Sequence, residues 1–262
     1  LTNAAVKKHG EKLRFAPIGV LSNLERTAFN YLQAREFAKF HKRPLIWWRH
    51  ELTGTHASWL DKDEEDRLFT EELGLRGIFV EGAPARCTHN IDTGNGVVNG
   101  CDGTLHSLTL TSATPETLED YIRCGVVVDG VLEVEIPPPY SVNVVPQVSK
   151  EGKAALLARG ASLHETELII PLPVGDKAVV FKPRSVYAAR AAVPRELMIK
   201  KHQFDLGFAV TDYKVQSKTL DYFVLSIGPR DGSIRPATLI DLAREYGVEL
   251  PSYTEAGLRE QV

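Results

Sequence analysis

A chain of 262 residues with 43% apolar and 25% charged side chains has the make-up of an ordinary globular protein and can bury one large core or two small ones. Its net charge of −3 excludes a uniformly basic nucleic-acid coat and leaves room for a local basic groove. Three cysteines, Cys87, Cys101 and Cys124, odd in number and without a C-x-x-C pair, point to free thiols in a reducing compartment.

The amino terminus, Leu1 to Arg14, is polar and Lys-bearing and lacks the apolar centre of a signal peptide. No apolar run approaches the roughly 20 residues of a membrane helix, so no membrane partner is expected. Leu1 is no natural start, and a longer parent chain is the expectation. Residues 15–23 read as a short buried strand running into a helix. Ser22 with Glu25 three residues on makes a capping box. Leu24, Ala28, Leu32, Phe37 and Phe40 predict a broad buried stripe on that helix to about His41. The run from Pro44 to Leu52 predicts a second strand, and the strand, helix, strand order predicts a parallel layer. The turn Ser22-Asn23-Leu24-Glu25-Arg26 sets an amide and a guanidinium at a strand's carboxyl end, where parallel sheets bind ligands. It reads equally as a plain cap with a surface pair. Asp61 to Asp66 opens a helix to about Leu73, its acids suiting the helix dipole, and Gly77 to Glu81 is a further strand.

Residues 94–103 are glycine-rich. Asn99-Gly100 and Asp102-Gly103 predict turns between strands at Val97-Val98 and Leu105 to Leu110. A dinucleotide fingerprint fails here, because Asn99 stands where the third pattern glycine belongs and strands flank both sides. From 126 to 202 short strands alternate with turns: Val126 to Gly130, Leu132 to Ile136, Tyr140 to Val145, Glu167 to Leu172 and Ala178 to Phe181. Leu156 to Gly160 reads as a brief helical turn. Residues 182–202 hold six Lys or Arg (Lys182, Arg184, Arg190, Arg195, Lys200, Lys201) against one acid, Glu196. With Phe181 and Tyr187 nearby, this composition suits a groove tracking a nucleic-acid backbone; the plain alternative is a solvated charged face.

Phe204, Leu206, Phe208 and Val210 alternate into Ala209-Val-Thr-Asp-Tyr-Lys-Val-Gln-Ser-Lys-Thr-Leu220, and Tyr222 to Ile227 follows as another strand. The segment between resembles the A-x-T-x-H-K-x-Q-G-x-T-L motif of superfamily 1B helicases of the PIF and RecD-like kind. Thr211, Lys214, Gln216, Thr219 and Leu220 match; Tyr213 replaces the family His and Ser217 the family Gly. Without that resemblance it is a polar loop between core strands. Gly96-Val-Val-Asn-Gly100 through Gly103 likewise resembles the family pattern L-V-N-G-x-x-G, against the plainer reading of a glycine-rich hairpin. The likeness runs over roughly residues 16–227 and lies within the second half of the helicase motor.

The resemblance implies an α/β fold: a RecA-like second motor domain of the P-loop NTPase type, a parallel sheet with helices, and an inserted small β-barrel of Src-homology-3-like form. Residues 1–94 and 203–262 would form the motor domain and its tail, and 95–202 the β-rich insertion. One shared sheet for 16–83 and 203–227 is expected. The implied activity is ATP-driven 5′-to-3′ translocation on single-stranded DNA, in an intracellular compartment, nuclear or mitochondrial if the source is eukaryotic. Asn23, Arg26, Gln216 and Ser217 would face the nucleotide cleft. Asn99, Gly100, Lys200, Lys201, Thr211, Tyr213, Lys214 and Thr219 would contact nucleic acid. ATP and Mg2+ would belong to the complete motor, since no G-x-x-x-x-G-K-[ST] occurs in these residues, and the partner would be an amino-terminal motor domain that carries it. The family's Y-V-A-x-S-R arginine motif also has no counterpart here. A catalytically inactive, helicase-derived nucleic-acid-binding module is the alternative, and a plain α/β interaction domain a third class. His50-Glu-Leu-Thr-Gly-Thr-His56 is no zinc helix, because its histidines are six apart.

Overall fold

A computed structural model describes residues 14–54, 57–112, 116–183, 196–211 and 224–225. In chain order the elements are β1 (Ile18–Val20), α1 (Asn23–His41), β2 (Leu45–Arg49), β3 (Glu51–Thr53), α2 (Lys62–Glu71), β4 (Arg76–Phe79), β5 (Pro84–Cys87), β6 (Asp102–Thr109), α3 (Leu118–Arg123), β7 (Val126–Val128), β8 (Val131–Glu135), β9 (Ser141–Pro146), α4 (Lys150–Ala158), β10 (Ile170–Pro173), β11 (Val179–Phe181), β12 (Leu197–Lys200), β13 (Phe204–Leu206), β14 (Ala209–Thr211) and β15 (Val224–Leu225). The fold is mixed α/β with several sheets.

The smallest parallel unit has the order β14-β1-β15, with Ile18 opposite both Ala209 and Val224. The two strands predicted around the polar segment therefore flank β1, as the alternation before it and the apolar run after it suggested. The expectation of one sheet for all of 16–83 and 203–227 is corrected. β2 instead lies between β4, antiparallel, and β8, parallel, with β7 at the edge. β3 joins β12 and β11. β5 joins the antiparallel order β10-β9-β6-β5-β13. Consequently β1, α1 and β2 do not form a crossover unit within one sheet.

No continuous pairing closes a barrel among the described residues. The outer strands of the five-stranded sheet meet only near their ends, through the bridge Val174–His202 and the bonds Gly175 N–H to Lys201 O (2.8 Å) and Gln203 N–H to Pro173 O (3.2 Å). The largest apolar cluster draws on Ala34, Trp48 and Phe79 as well as Leu105, Val142, Leu156 and Leu172.

The α1 capping box forms as predicted: Ser22 Oγ accepts from Glu25 N–H and the Glu25 carboxylate from Ser22 N–H. The predicted stripe is wrong by a rotation of the helix. Leu24, Leu32 and Phe40 are exposed, and Asn30, Ala34 and Ala38 are buried. The i, i+4, i+8 row of small side chains lets the helix lie close to its neighbours, and the bulkier residues flank that row. Asp102-Gly103 is not a turn. Gly103 lies inside β6, where a Cβ would sit 2.6 Å from Val145 O, so close approach of β9 requires the glycine. Asn99-Gly100 is a turn, with Gly100 at φ 92°. The helical turn at 156–160 is the end of α4, which starts earlier; Ser149 caps it by accepting from Gly152 N–H at 3.1 Å. Thr238 to Tyr246, which reads from the sequence as a helix, lies outside the described residues. All three cysteines are free; a hydrogen bond to Cys101, with burial, pushes the Cys87 thiol up.

Gly77 faces Trp48 across the β2–β4 pair, and an added methyl would overlap the fully buried indole. Gly77→Ala should cost about 1–3 kcal/mol, the range for overpacking a filled core. Urea unfolding should show it as a lower midpoint; an unchanged midpoint would mean that the indole moves aside freely.

Candidate functional site

Two features converge around the amino-terminal half of α1. The first is the carboxyl edge of the β14-β1-β15 sheet. Ile18 N–H donates to Phe208 O at 2.7 Å, so Phe208 and Val210 turn their peptide groups to β1 while Ala209 turns its own away. As β14 is the edge strand, that amide needs a partner, and Asn30 Oδ1 accepts it at 2.7 Å. Thr211 pairs in register with Val20, two residues before Ser22. It is 2% exposed, and its Oγ1 has no hydrogen-bond partner. Asn23 opens α1 in an exposed position, its carbonyl accepting from Thr27 Oγ1 at 3.0 Å.

The second feature is a cavity of about 390 Å³ bounded by α1, β4 and the 201–206 segment. Arg26 enters it one helical turn before Asn30, with Nη2 3.4 Å from Asp205 Oδ2. Lys201, His50 and His202 also line it. His202 Nε2 lies 2.9 Å from Pro139 O, and this bond makes it the protonated nitrogen. Burial lowers the pKa of His50 well below the ordinary histidine value, with help from Lys201 and His202. Burial likewise lowers His202 and Lys201.

The residues expected from sequence distribute unevenly over these features. Thr211 ends β14 opposite Val20, Asn23 opens α1 three residues after Val20, and Arg26 meets Asp205 at the cavity. Lys201 faces the cavity rather than an open groove, and Lys200, on β12, pairs with Glu51 at 3.4 Å. Lys182 pairs with Glu196 at 2.9 Å. Arg184, Arg190 and Arg195, with Tyr213, Lys214, Gln216, Ser217 and Thr219, lie outside the described residues. Asn99 is exposed, its N–H donating to Asn90 Oδ1, while Gly100 N–H donates to Cys87 O; neither lines the cavity. Sequence reasoning missed Asn30, His50, His202 and Asp205. Asn30 alone gave a signal, as a polar residue in the i, i+4, i+8 row with two alanines. Among the described residues no group of three or more His, Cys, Asp or Glu could hold a metal ion, and no helix is long and apolar enough to cross a membrane.

No family model matches the chain, and no curated protein matches it. Among solved structures it is similar to the Pif1 helicase from Candida albicans, with TM-score 0.41 and 12% identity over 86% of this chain and 44% of that one. It is similar to the same degree, TM-score 0.41 and 12% identity, to a structure of two coordinating Pif1 helicases at forked double-stranded DNA, covering 94% and 49%. Bacteroides Pif1 bound to single-stranded DNA follows with TM-score 0.36 and 10% identity, covering 88% and 45%. The chain thus spans about half the length of these proteins.

Asn30→Ala should leave the Ala209 amide buried without an acceptor, at a cost of about 1–3 kcal/mol. Hydrogen exchange at Ala209 should quicken while amides of β9 keep their protection; unaltered protection at Ala209 would remove the bond from the account.

The histidines predict a pH dependence. Their folded pKa values lie below the unfolded one, so the unfolded chain takes up protons first as pH falls. Their stabilising effect is complete above about pH 6.5 and declines below it, by up to about 1.4 kcal/mol per pH unit for each histidine. Urea midpoints between pH 7.5 and 5.5, values chosen to span roughly one unit either side of the free imidazole pKa, should fall with acid. The double variant His50→Gln, His202→Gln should show a flatter fall; an equal slope would contradict the assignment.

Proposed function

We propose that this chain is the second motor half of a superfamily 1B DNA helicase, working on single-stranded DNA together with an amino-terminal motor domain that carries the P-loop. The observation that supports this most is the register of Val20 with Thr211. It sets the start of the 211–220 motif and the Ser22–Arg26 turn on one carboxyl edge of a parallel sheet. Parallel sheets bind ligands at that edge, and two stretches far apart in sequence reach it with the residue types of the family.

In this reading Tyr213 holds the phosphate backbone of the strand; Thr211, expected from the sequence to share that contact, is buried and instead anchors the start of the motif in the sheet opposite Val20. Lys214, Gln216 and Thr219 link that contact to the nucleotide cleft, where Asn23, Arg26 and Ser217 form one wall. These residues fit one side of a nucleotide site and not a metal cage. ATP and Mg2+ would therefore be held chiefly by the partner half and would supply the free energy for movement. This chain's part is to grip the strand and present a guanidinium and an amide across the cleft. The inserted β-rich part expected at 95–202 does not keep those bounds: the five-stranded sheet whose outer strands meet at the Val174–His202 bridge also takes in β5 and β13, and β7 and β8 join the sheet of β2 instead. Packing does not follow that division, since the main apolar cluster includes residues from both sides of position 94.

Binding to a labelled oligothymidine should weaken linearly on a log–log plot against salt, with a slope of about −0.7 per phosphate contact. Lys214→Ala should weaken binding and flatten the slope by about one such contact, and Tyr213→Ala should weaken binding with less change in slope. Binding that is absent at low salt, or indifferent to both changes, would defeat the proposal and favour a plain α/β interaction domain.

A further inference from the structure

The cavity beside α1 carries four cationic side chains, Arg26, Arg76, Lys177 and Lys201, against one carboxylate, Asp205. Arg76 is engaged elsewhere: its Nε donates to Phe69 O at 2.6 Å, and its guanidinium lies 4.5 Å from the Trp47 ring centre. Arg26 meets Asp205 through Nη2, while its Nε is buried without a hydrogen-bond partner. Two further lining residues share that condition. Asn30 Nδ2 and His202 Nδ1 are both unpartnered, on residues 4% and 3% exposed. Each side chain is fixed by its other polar atom, Asn30 Oδ1 by the Ala209 amide and His202 Nε2 by the Pro139 carbonyl. Those bonds settle which atom remains: an amide donor on Asn30, and on His202 a nitrogen that becomes a donor on protonation. Buried polar atoms in native proteins are nearly always satisfied. Three residues that line one cationic cavity each carry such a nitrogen, which points to a partner from outside the chain.

We infer that this cavity binds a compact, multiply charged anion of the phosphate class, held by Arg26, Asn30, Lys201 and His202. A multiply charged oxyanion answers both features, as its oxygens accept from several donors at once and its charge offsets the cationic excess. A single carboxylate would leave most of that excess in place. The volume admits more than one phosphate group. Burial already disfavours the charged forms of Lys201, His50 and His202, and an anion among them shifts each balance back toward the cation. Arg26 also belongs to the edge assigned to the nucleotide, and Asn30 supports that edge through the Ala209 amide, whereas Lys177, Lys201 and His202 line the cavity alone; variants at the lysines therefore test the cavity separately from the helicase reading.

The probe is pyrophosphate, titrated into the whole chain at constant ionic strength, read by the ring-proton signals of His50 and His202 and by thermal melting. Saturable shifts of both histidines with a rise in melting temperature are expected. Lys201→Met should weaken binding about tenfold or more, with a melting temperature in the absence of pyrophosphate no lower than that of the parent. Lys177→Met, at an exposed position, should weaken it without disturbing the fold, so a misfolded Lys201 variant leaves the test intact. Labelled oligothymidine separates the two sources of such a group. If it displaces pyrophosphate, the natural phosphate belongs to a strand; if both bind together, it belongs to a free anion. Absence of saturable shifts at millimolar pyrophosphate, or equal binding by both lysine variants, would overturn the assignment. Failure of Lys214→Ala to affect strand binding would leave it untouched.

Discussion

The hydrogen bond from the Ala209 amide to Asn30 Oδ1 is the contact on which the carboxyl edge of the β14-β1-β15 sheet depends. A three-residue edge strand has little of its own to hold it. β14 takes one row of bonds from β1 and would leave the opposite amide buried and bare. A side chain from α1 closes that row, and the helix is fixed over the sheet in the same act. Two contacts reinforce it, Arg26 with Asp205 at 3.4 Å and Phe37 with Phe208 at 5.6 Å between ring centres. Three residues of one helix thus fasten the segment that leads into Thr211. An apolar residue at 30 would pack as well and fail at this position, because the cost lies in the unsatisfied amide and not in the volume.

Local signals in the sequence carried the parts of the fold that depend on neighbours in the chain. The Ser22–Glu25 cap, the acidic start of α2 and most of the short strands between 126 and 181 are of this kind. Period-two alternation and capping residues are decided within a few positions. Strand partnership is not. β2 reads as the natural companion of β1, and it pairs instead with β4 and β8. The choice between those partners rests on contacts such as Trp48 over Gly77, which no window of sequence displays. The α1 stripe failed for a related reason. Its bulky apolar residues looked like the buried face, but the helix lies so close to its neighbours that small residues occupy that face.

Motif residues stood out in the sequence, whereas the cavity as a whole gave no sequence signal. Thr211 and Arg26 were among those that stood out; in the structure Thr211 pairs with Val20, and Arg26 meets Asp205 in the cavity. Asn30, His50, His202 and Asp205 come from α1, the end of β2 and the approach to β14, and gave no shared pattern. The basic run at 182–202 suggested an open groove. In the structure Lys182 and Lys200 have acidic partners and Lys201 turns to the interior. A charge count over a segment cannot distinguish these fates, since each is set by the element opposite.

The stretch from 197 to 211 explains why the edge and the cavity share their supports. Within fifteen residues it supplies β12 to the sheet of β3, β13 to the sheet of β5, and β14 to the sheet of β1. Three of the four sheets are therefore stitched by one short run of chain. Lys201 and His202 occupy the first joint of that run, Asp205 its middle strand and Thr211 its end. Side chains at these joints are positioned by backbone already committed on both sides, so they hold their places without a loop having to fold around them. A polar cavity costs stability, and an unpaired buried cation costs more. Packed sheets on either side can carry that cost, whereas a free-standing loop of the same residues would open to water.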